Sequence, residues 1–328
     1  MVRISGRALK TACAVFIGAA LTLFLLYREG DPRETANAIL AAVAGANHEY
    51  LAIALAFFLA SQVLRAWRWK LLTWEHPISI RTALPLNAVH VGLGHLLPLR
   101  LADPALVGLF RRYAKLTLGR GAATVVLAKL LDLAAMGTLV SCAVAAGLSG
   151  SATLVALMVG LGALVSVFLL PRLFALLRKP VLRLTKARFA TGYSDLENAV
   201  NVGAGRRGGF ALSFLLSLLA WSVKLFMFVF LLRSVGVDFQ PVWKVLVAGA
   251  ITDMTLAMPV HGLMGLGTLE AGWTAGFAVV GVTGELAPGL GVIQAGFTLH
   301  LLWMFLAVLL MAVGGLYLLV FERGSNGG

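Results

Sequence analysis

The sequence predicts an all-α polytopic membrane protein of about 6–8 transmembrane helices, with one or two re-entrant hairpins broken by glycine and proline and a pattern consistent with an inverted repeat. Three observations predict it. The 328 residues are 60% hydrophobic and only 12% charged. Several apolar runs reach or approach the roughly 20 residues that a helix needs to cross a bilayer. Two further apolar segments are interrupted by Gly and Pro, and the first has basic flanks at both ends. Helices are the expected spanning element, because hydrocarbon offers backbone groups no hydrogen bonds and the alternation of a barrel strand is absent.

In chain order, Thr11 to Tyr27 follows Arg3, Arg7 and Lys10. Its apolar core is long and runs into Tyr27-Arg28-Glu29 rather than a small-residue cleavage site, so it reads as a retained first helix and not a signal peptide. Arg28 to Glu49 is rich in acid and is expected outside. The second span ends in LRAWRWKLLTW, where Arg65, Arg68 and Lys70 alternate with Trp67, Trp69 and Trp74. That composition suits a helix meeting headgroups on the cytoplasmic side.

The region from Arg81 to Arg120 has basic residues before and after it, so both ends belong inside. Between them, LPLNAVHVGLGHLLPLRLADPALVG is broken by Pro85, Gly92, Gly94, Pro98 and Pro104. A segment that leaves and returns to one side is a re-entrant hairpin, and interrupted backbone is tolerated at membrane depth only when packed in protein or lining a cavity. Next come a span containing VVLAKLLDLAAM, a turn at Gly147 to Gly150 and the span Val155 to Leu170.

Pro171 to Gly209 carries eight basic residues against Asp195 and Glu197, and is expected to be a cytoplasmic basic amphipathic segment on anionic inner-leaflet lipids. After the span Phe210 to Leu232, the stretch Trp243 to Gly284 is broken by Pro259, Gly262, Gly265 and Gly267. It reads as a second hairpin, with two short full spans as the alternative. Phe297 to Val320 is the last span. Residues 1–323 are thus expected to form a single transmembrane domain with a disordered tail at 324–328. Both termini are expected in the cytoplasm, in a bacterial inner membrane.

An ionisable side chain at mid-bilayer costs from about 2.5 to more than 10 kcal/mol, so each needs a partner, a water cavity or a function. Arg100 and Asp103 are three apart, as are Lys129 and Asp132, and both spacings allow pairing on one helical face. Lys224 suits snorkelling to an interface. Asp253 and Glu270 flank the second break, and His300 lies deep in the last span. Arg100 and Glu270, each beside a broken helix, are the foremost candidates. An arginine fork with free helix amides suits an anionic headgroup. The carboxylates of Asp103, Asp253 and Glu270 suit holding the arginine, binding a cationic headgroup or carrying a proton.

No catalytic residue, metal site or cofactor is expected. Gly147 to Gly150 matches a GxSG string but falls in a turn. His90 and His95 are five apart and no HExxH or CxxC accompanies them. The net charge of +13 reads as topology signal and lipid contact rather than nucleic-acid binding. The expected substrate is a membrane lipid, moved between leaflets. The alternative is a non-catalytic membrane partner that scaffolds a lipid-modifying or cell-envelope enzyme. Expected partners are the lipid, anionic inner-leaflet lipids, and either a second copy of the chain or a lipid enzyme.

These residues also carry a resemblance. RAWRWKLL, LPLRLAD, VVLAKLLDLAAM and MPVHGLMGLGTLEAG, in that order, resemble the motifs of the flippase-like family named after the transmembrane region of lysylphosphatidylglycerol synthase. The resemblance implies two re-entrant segments, lipid transport in the phospholipid, isoprenoid-linked or hopanoid pathways, and functional roles for Arg65, Arg100, Asp103, Asp132, Gly265, Gly267 and Glu270. The chain departs from that pattern at Ala102, at Ala128-Lys129 and at His300, where an arginine is common. With the chain closing at FERGSNGG, aminoacyl transfer to lipid is not expected of it alone.

Overall fold

Long apolar runs fold as helices because only the helix satisfies every backbone polar group within its own segment. The computed structural model describes residues 6–28, 30–73, 78–97, 101–185, 190–205, 207–255 and 262–325. They form α1 (Gly6–Arg28), α2 (Pro32–Ala44), α3 (His48–Leu72), α4 (Ile80–Leu96), α5 (Ala102–Tyr113), α6 (Leu118–Ala146), α7 (Ser151–Leu184), α8 (Ala190–Gly205), α9 (Arg207–Ser234), α10 (Val242–Thr255), α11 (Thr268–Val279) and α12 (Val292–Ser325). A two-stranded antiparallel ribbon, β1 (Glu285–Ala287) and β2 (Leu290–Gly291), links α11 to α12.

Five helices, within α3, α6, α7, α9 and α12, are long and apolar enough to cross a membrane, and α1 contributes the shorter apolar stretch Gly18–Arg28. The chain is an all-α polytopic membrane protein. The helices around the two broken segments are short. At 1.5 Å per residue α5 and α11 are about 18 Å long and α10 about 21 Å, against a hydrocarbon core of about 30 Å.

The chain divides into two compact units. The first comprises Met1–Leu59, Val89–Ala102 and Lys224–Val313; the second comprises Ala60–Ala88, Asp103–Val223 and Gly314–Gly328. Within the first, α10 and α11 pack through glycines on α11: a Cβ at Gly276 would lie 2.7 Å from Ala248 Cα, and one at Gly272 would lie 2.5 Å from the Thr255 side chain. Small residues four apart let two membrane helices approach this closely. Leu25, Ile39, Ile293 and Phe297 form a core that joins α1, α2 and α12, with Leu266 and Ala271 against it. Within the second unit, a Cβ at Gly160 would lie 3.0 Å from the Ser141 side chain, which seats α7 on α6. Tyr193 on α8 donates to the Phe174 carbonyl of α7 over 2.5 Å.

Four expectations change. The acidic stretch after α1 is not all loop: α2 starts at Pro32, its N-terminus capped by the Asp31 carboxylate, which accepts from the Arg33 amide. Pro85, Gly92 and Gly94 do not break the first interrupted segment, since α4 runs through all three. Gly92 lies where any Cβ would overlap Met311 of α12, so it is a packing residue rather than a hinge. Helix α4 ends at Leu96 and α5 begins at Ala102, with residues 98–100, Pro98 among them, outside the described residues. No new helix begins at Pro171, because α7 continues through Pro171 and Pro180 to Leu184. At the other end α12 extends to Ser325, two residues into the expected tail.

Candidate functional site

Each unit contains a buried constellation of ionisable side chains. In the second unit, Arg65 and Arg68 are three apart and project from one face of α3. Arg68, 1% exposed, donates to the Asp132 carboxylate of α6 and to Ser217 Oγ of α9 at 2.8 Å. Arg65 stands 3.5 Å from the other Asp132 oxygen and stacks 4.6 Å from the Trp221 ring centre. The Trp221 indole donates to Asp132 Oδ1 at 2.8 Å. One carboxylate therefore receives two guanidinium groups and an indole N–H, the fork geometry that makes arginine the residue for buried pairs. Nearby on α6, Lys129 meets Asp103 of α5 at 3.1 Å, a half-exposed pair.

The first unit is built around the second interruption. Met264, Gly265 and Gly267 all have positive φ (59°, 78° and 78°), and this left-handed turn ends where α11 begins. Glycine is needed twice over at 267, since a Cβ there would also come within 2.6 Å of the Gly18 carbonyl of α1. Glu270 follows in the first turn of α11, 0% exposed, with Oε1 2.5 Å from Nδ1 of His300 on α12. Gly265 lies beside the same histidine: a Cβ there would stand 3.5 Å from its ring.

Further contacts extend this pair. His95 of α4 is edge-on to Trp303 at 4.3 Å between centres, with the His300 ring 6.3 Å away. Over the Trp303 ring lies Lys224 Nζ at 4.3 Å, and the same ammonium donates to Asp253 of α10 at 2.7 Å. Asp253, Lys224, Trp303, His95, His300 and Glu270 thus form one run of contacts through α10, α9, α12, α4 and α11.

Seven of the nine expected site residues fall into these two constellations: Arg65 and Asp132 in the second unit, and Asp253, Gly265, Gly267, Glu270 and His300 in the first. Asp103 stands beside the second-unit cluster through Lys129. Arg100 lies outside the described residues, as does any pairing of it with Asp103 or Glu270. Lys129 and Asp132 do not neutralise each other, because each takes its counter-charge from another helix. Lys224 is buried against Asp253 rather than snorkelling. The Arg/Trp cluster is only partly at a surface: Trp67 is exposed, but Trp69 is buried and donates to Asn87 Oδ1 at 3.0 Å. Arg68 and His95 were missed as site residues. The three-residue spacing of Arg65 and Arg68 was the available signal for the first; His95 has none in the sequence alone.

An apolar groove of about 300 Å³ flanks the first constellation. Leu21, Leu25, Ala271, Thr274 and Ile293 are among its walls, and Arg28 is the charged side chain that lines it. Ala271 directly follows Glu270, so one helix serves both the groove and the buried pair.

The family model described as the lysylphosphatidylglycerol synthase transmembrane region matches residues 11–308. The chain belongs to this family. Both constellations and the groove fall within the matched residues of that transmembrane region, as do all nine expected site residues. No curated protein and no solved structure matches the chain.

Proposed function

We propose that this protein moves a membrane lipid between the leaflets of a bacterial inner membrane, the lipid being a phospholipid or an isoprenoid-linked lipid. The observation that carries the reading is the apolar groove with Arg28 in its wall, built on the helix that bears Glu270. Its size suits part of an apolar chain, and a guanidinium suits a phosphate. Membership of a family named for the membrane region of a lipid synthase points to the same class of ligand.

In this reading α10 and α11 form a hairpin that enters and leaves the same face of the membrane, each helix being too short to cross alone. The interruption between α4 and α5 is its counterpart, and Arg100, which lies in it, engages the anionic headgroup. Both termini face the cytoplasm. Asp132 with Arg65 and Arg68 holds α3, α6 and α9 together, while the Glu270 constellation contributes the charge that responds to the lipid. In this reading the protein moves the lipid without altering it chemically.

The test is reconstitution into liposomes with headgroup-labelled phospholipid and an isoprenyl phosphate in parallel. Lipid movement is expected to depend on the protein and to fall with Arg28→Gln, Arg100→Ala and Glu270→Gln. Wild-type rates in all three folded variants would remove these residues from the mechanism, and no protein-dependent movement of either lipid would overturn the reading.

A further inference from the structure

The first unit concentrates polar atoms that its own packing leaves unmatched. Among the described residues, Glu270 Oε2, Asp253 Oδ2, His300 Nε2, Trp273 Nε1 and Trp303 Nε1 are buried and find no hydrogen-bond partner. In the second-unit constellation the corresponding atom is Arg68 Nε alone. A buried group left unpaired is costly, so native proteins keep such groups where water or a function uses them.

The unmatched atoms include both acceptors and N–H donors, a mixture that suits water and protons and not a bare cation. His300, Trp273 and Trp303 also line a cavity of about 10 Å³. That is close to the roughly 10–15 Å³ needed for one water molecule.

We infer that Glu270 and His300 form a proton-binding centre whose loading drives the lipid movement proposed above, making the protein a proton-coupled carrier. The 2.5 Å contact is short enough for Nδ1 and Oε1 to hold one proton between them, and with a second proton on Nε2 the loaded pair is electrically neutral. Release of that proton leaves one negative charge on groups 0% and 4% exposed. Among the described residues, the charged and titratable neighbours are Lys224 from α9, Asp253 from α10 and His95 from α4. Lys224 is already committed to Asp253, so among the described residues no neighbouring ammonium or guanidinium is idle to balance the loss.

An unbalanced buried charge is strongly unfavourable. Deprotonation therefore favours any shift of α11 that brings water or a cation to Glu270, and the next residue of that helix lines the groove. Proton release from Glu270–His300 and rearrangement of the groove become one event.

The inference rests on the lipid-transport reading, and two measurements keep their failures apart. The first uses purified protein in phosphatidylethanolamine/phosphatidylglycerol liposomes carrying labelled phosphatidylglycerol, with a pH step and the membrane potential clamped at zero. The gradient is expected to drive net accumulation of label in one leaflet with matching proton flux. Glu270→Gln and His300→Gln should both abolish the accumulation. Equal equilibration with and without the gradient overturns the coupling while leaving lipid movement intact.

The second is infrared titration of the same protein in detergent, which needs no transport. A pH-dependent carboxyl band is expected in the wild type and absent in Glu270→Gln. Identical spectra overturn the proton site outright. If no lipid moves in any liposome, the transport reading fails and takes the coupling with it, and the infrared band alone then decides whether protons bind.

Discussion

The two buried constellations use the same currency of charge to opposite ends. In the second unit a single carboxylate, Asp132, meets Arg65, Arg68 and an indole donor, and nearly every polar atom is engaged. In the first, Glu270 has one histidine, and one atom on each partner is left over. Arginine keeps its charge at any accessible pH, whereas histidine and glutamate exchange protons. A saturated arginine cluster is suited to fix helices in place; an unsaturated Glu–His pair is suited to change state. Burial alone, which is similar in both, does not separate structure from function. The count of unmatched donors and acceptors does.

The sharpest way to break this contrast is to neutralise the carboxylate in each unit. Asp132→Asn leaves two arginines without their counter-charge. It should cost about 3–5 kcal/mol, the usual penalty for breaking a buried pair, and appear as a large loss of folded protein on heating in detergent. A fall no larger than that of a surface variant would show Asp132 to be dispensable to the fold. Gly267→Ala comes next: the positive φ and the overlap with the Gly18 carbonyl together should cost about 1–3 kcal/mol, read as a lower midpoint in the same melt.

Glu270→Gln keeps the shape and a hydrogen bond to His300, so its effect on stability should be about 1 kcal/mol or less, while lipid transport falls. A collapse comparable with that of Asp132→Asn would move Glu270 to the structural side. Smallest of all is Lys129→Gln. Its pair with Asp103 is 42% and 23% exposed, and such pairs contribute about 0–1 kcal/mol, so the melt should barely move.

The helical membrane fold was legible because spans of apolar residues have few alternatives. Glu270 and the glycines before it were legible too, since a carboxylate after a broken helix is costly unless used. What spacing did not reveal is partnership across the chain. Lys129 and Asp132 looked like a pair at three residues' distance, yet Asp132 is held by arginines 64 and 67 positions earlier on α3. His95 stood out only as a poor match to His90, because its relation to Trp303 is made by packing. Pro85, Gly92 and Gly94 misled for a related reason: small residues and proline mark breaks in water-facing helices, but in a membrane they also mark close helix contacts, as between Gly92 and Met311.

The contact between Gly18 and Gly267 also sets an order on biogenesis. Helix α1 clasps a turn that the ribosome delivers about 250 residues later; at roughly 5–20 residues per second that is a wait of tens of seconds. Throughout that interval α1 lacks the glycine turn it is shaped to meet, and the first unit cannot close. The Glu270–His300 pair, whose members come from helices made after that turn has begun, is therefore assembled last. A translating chain carries no assembled Glu270–His300 pair until α12 has been made.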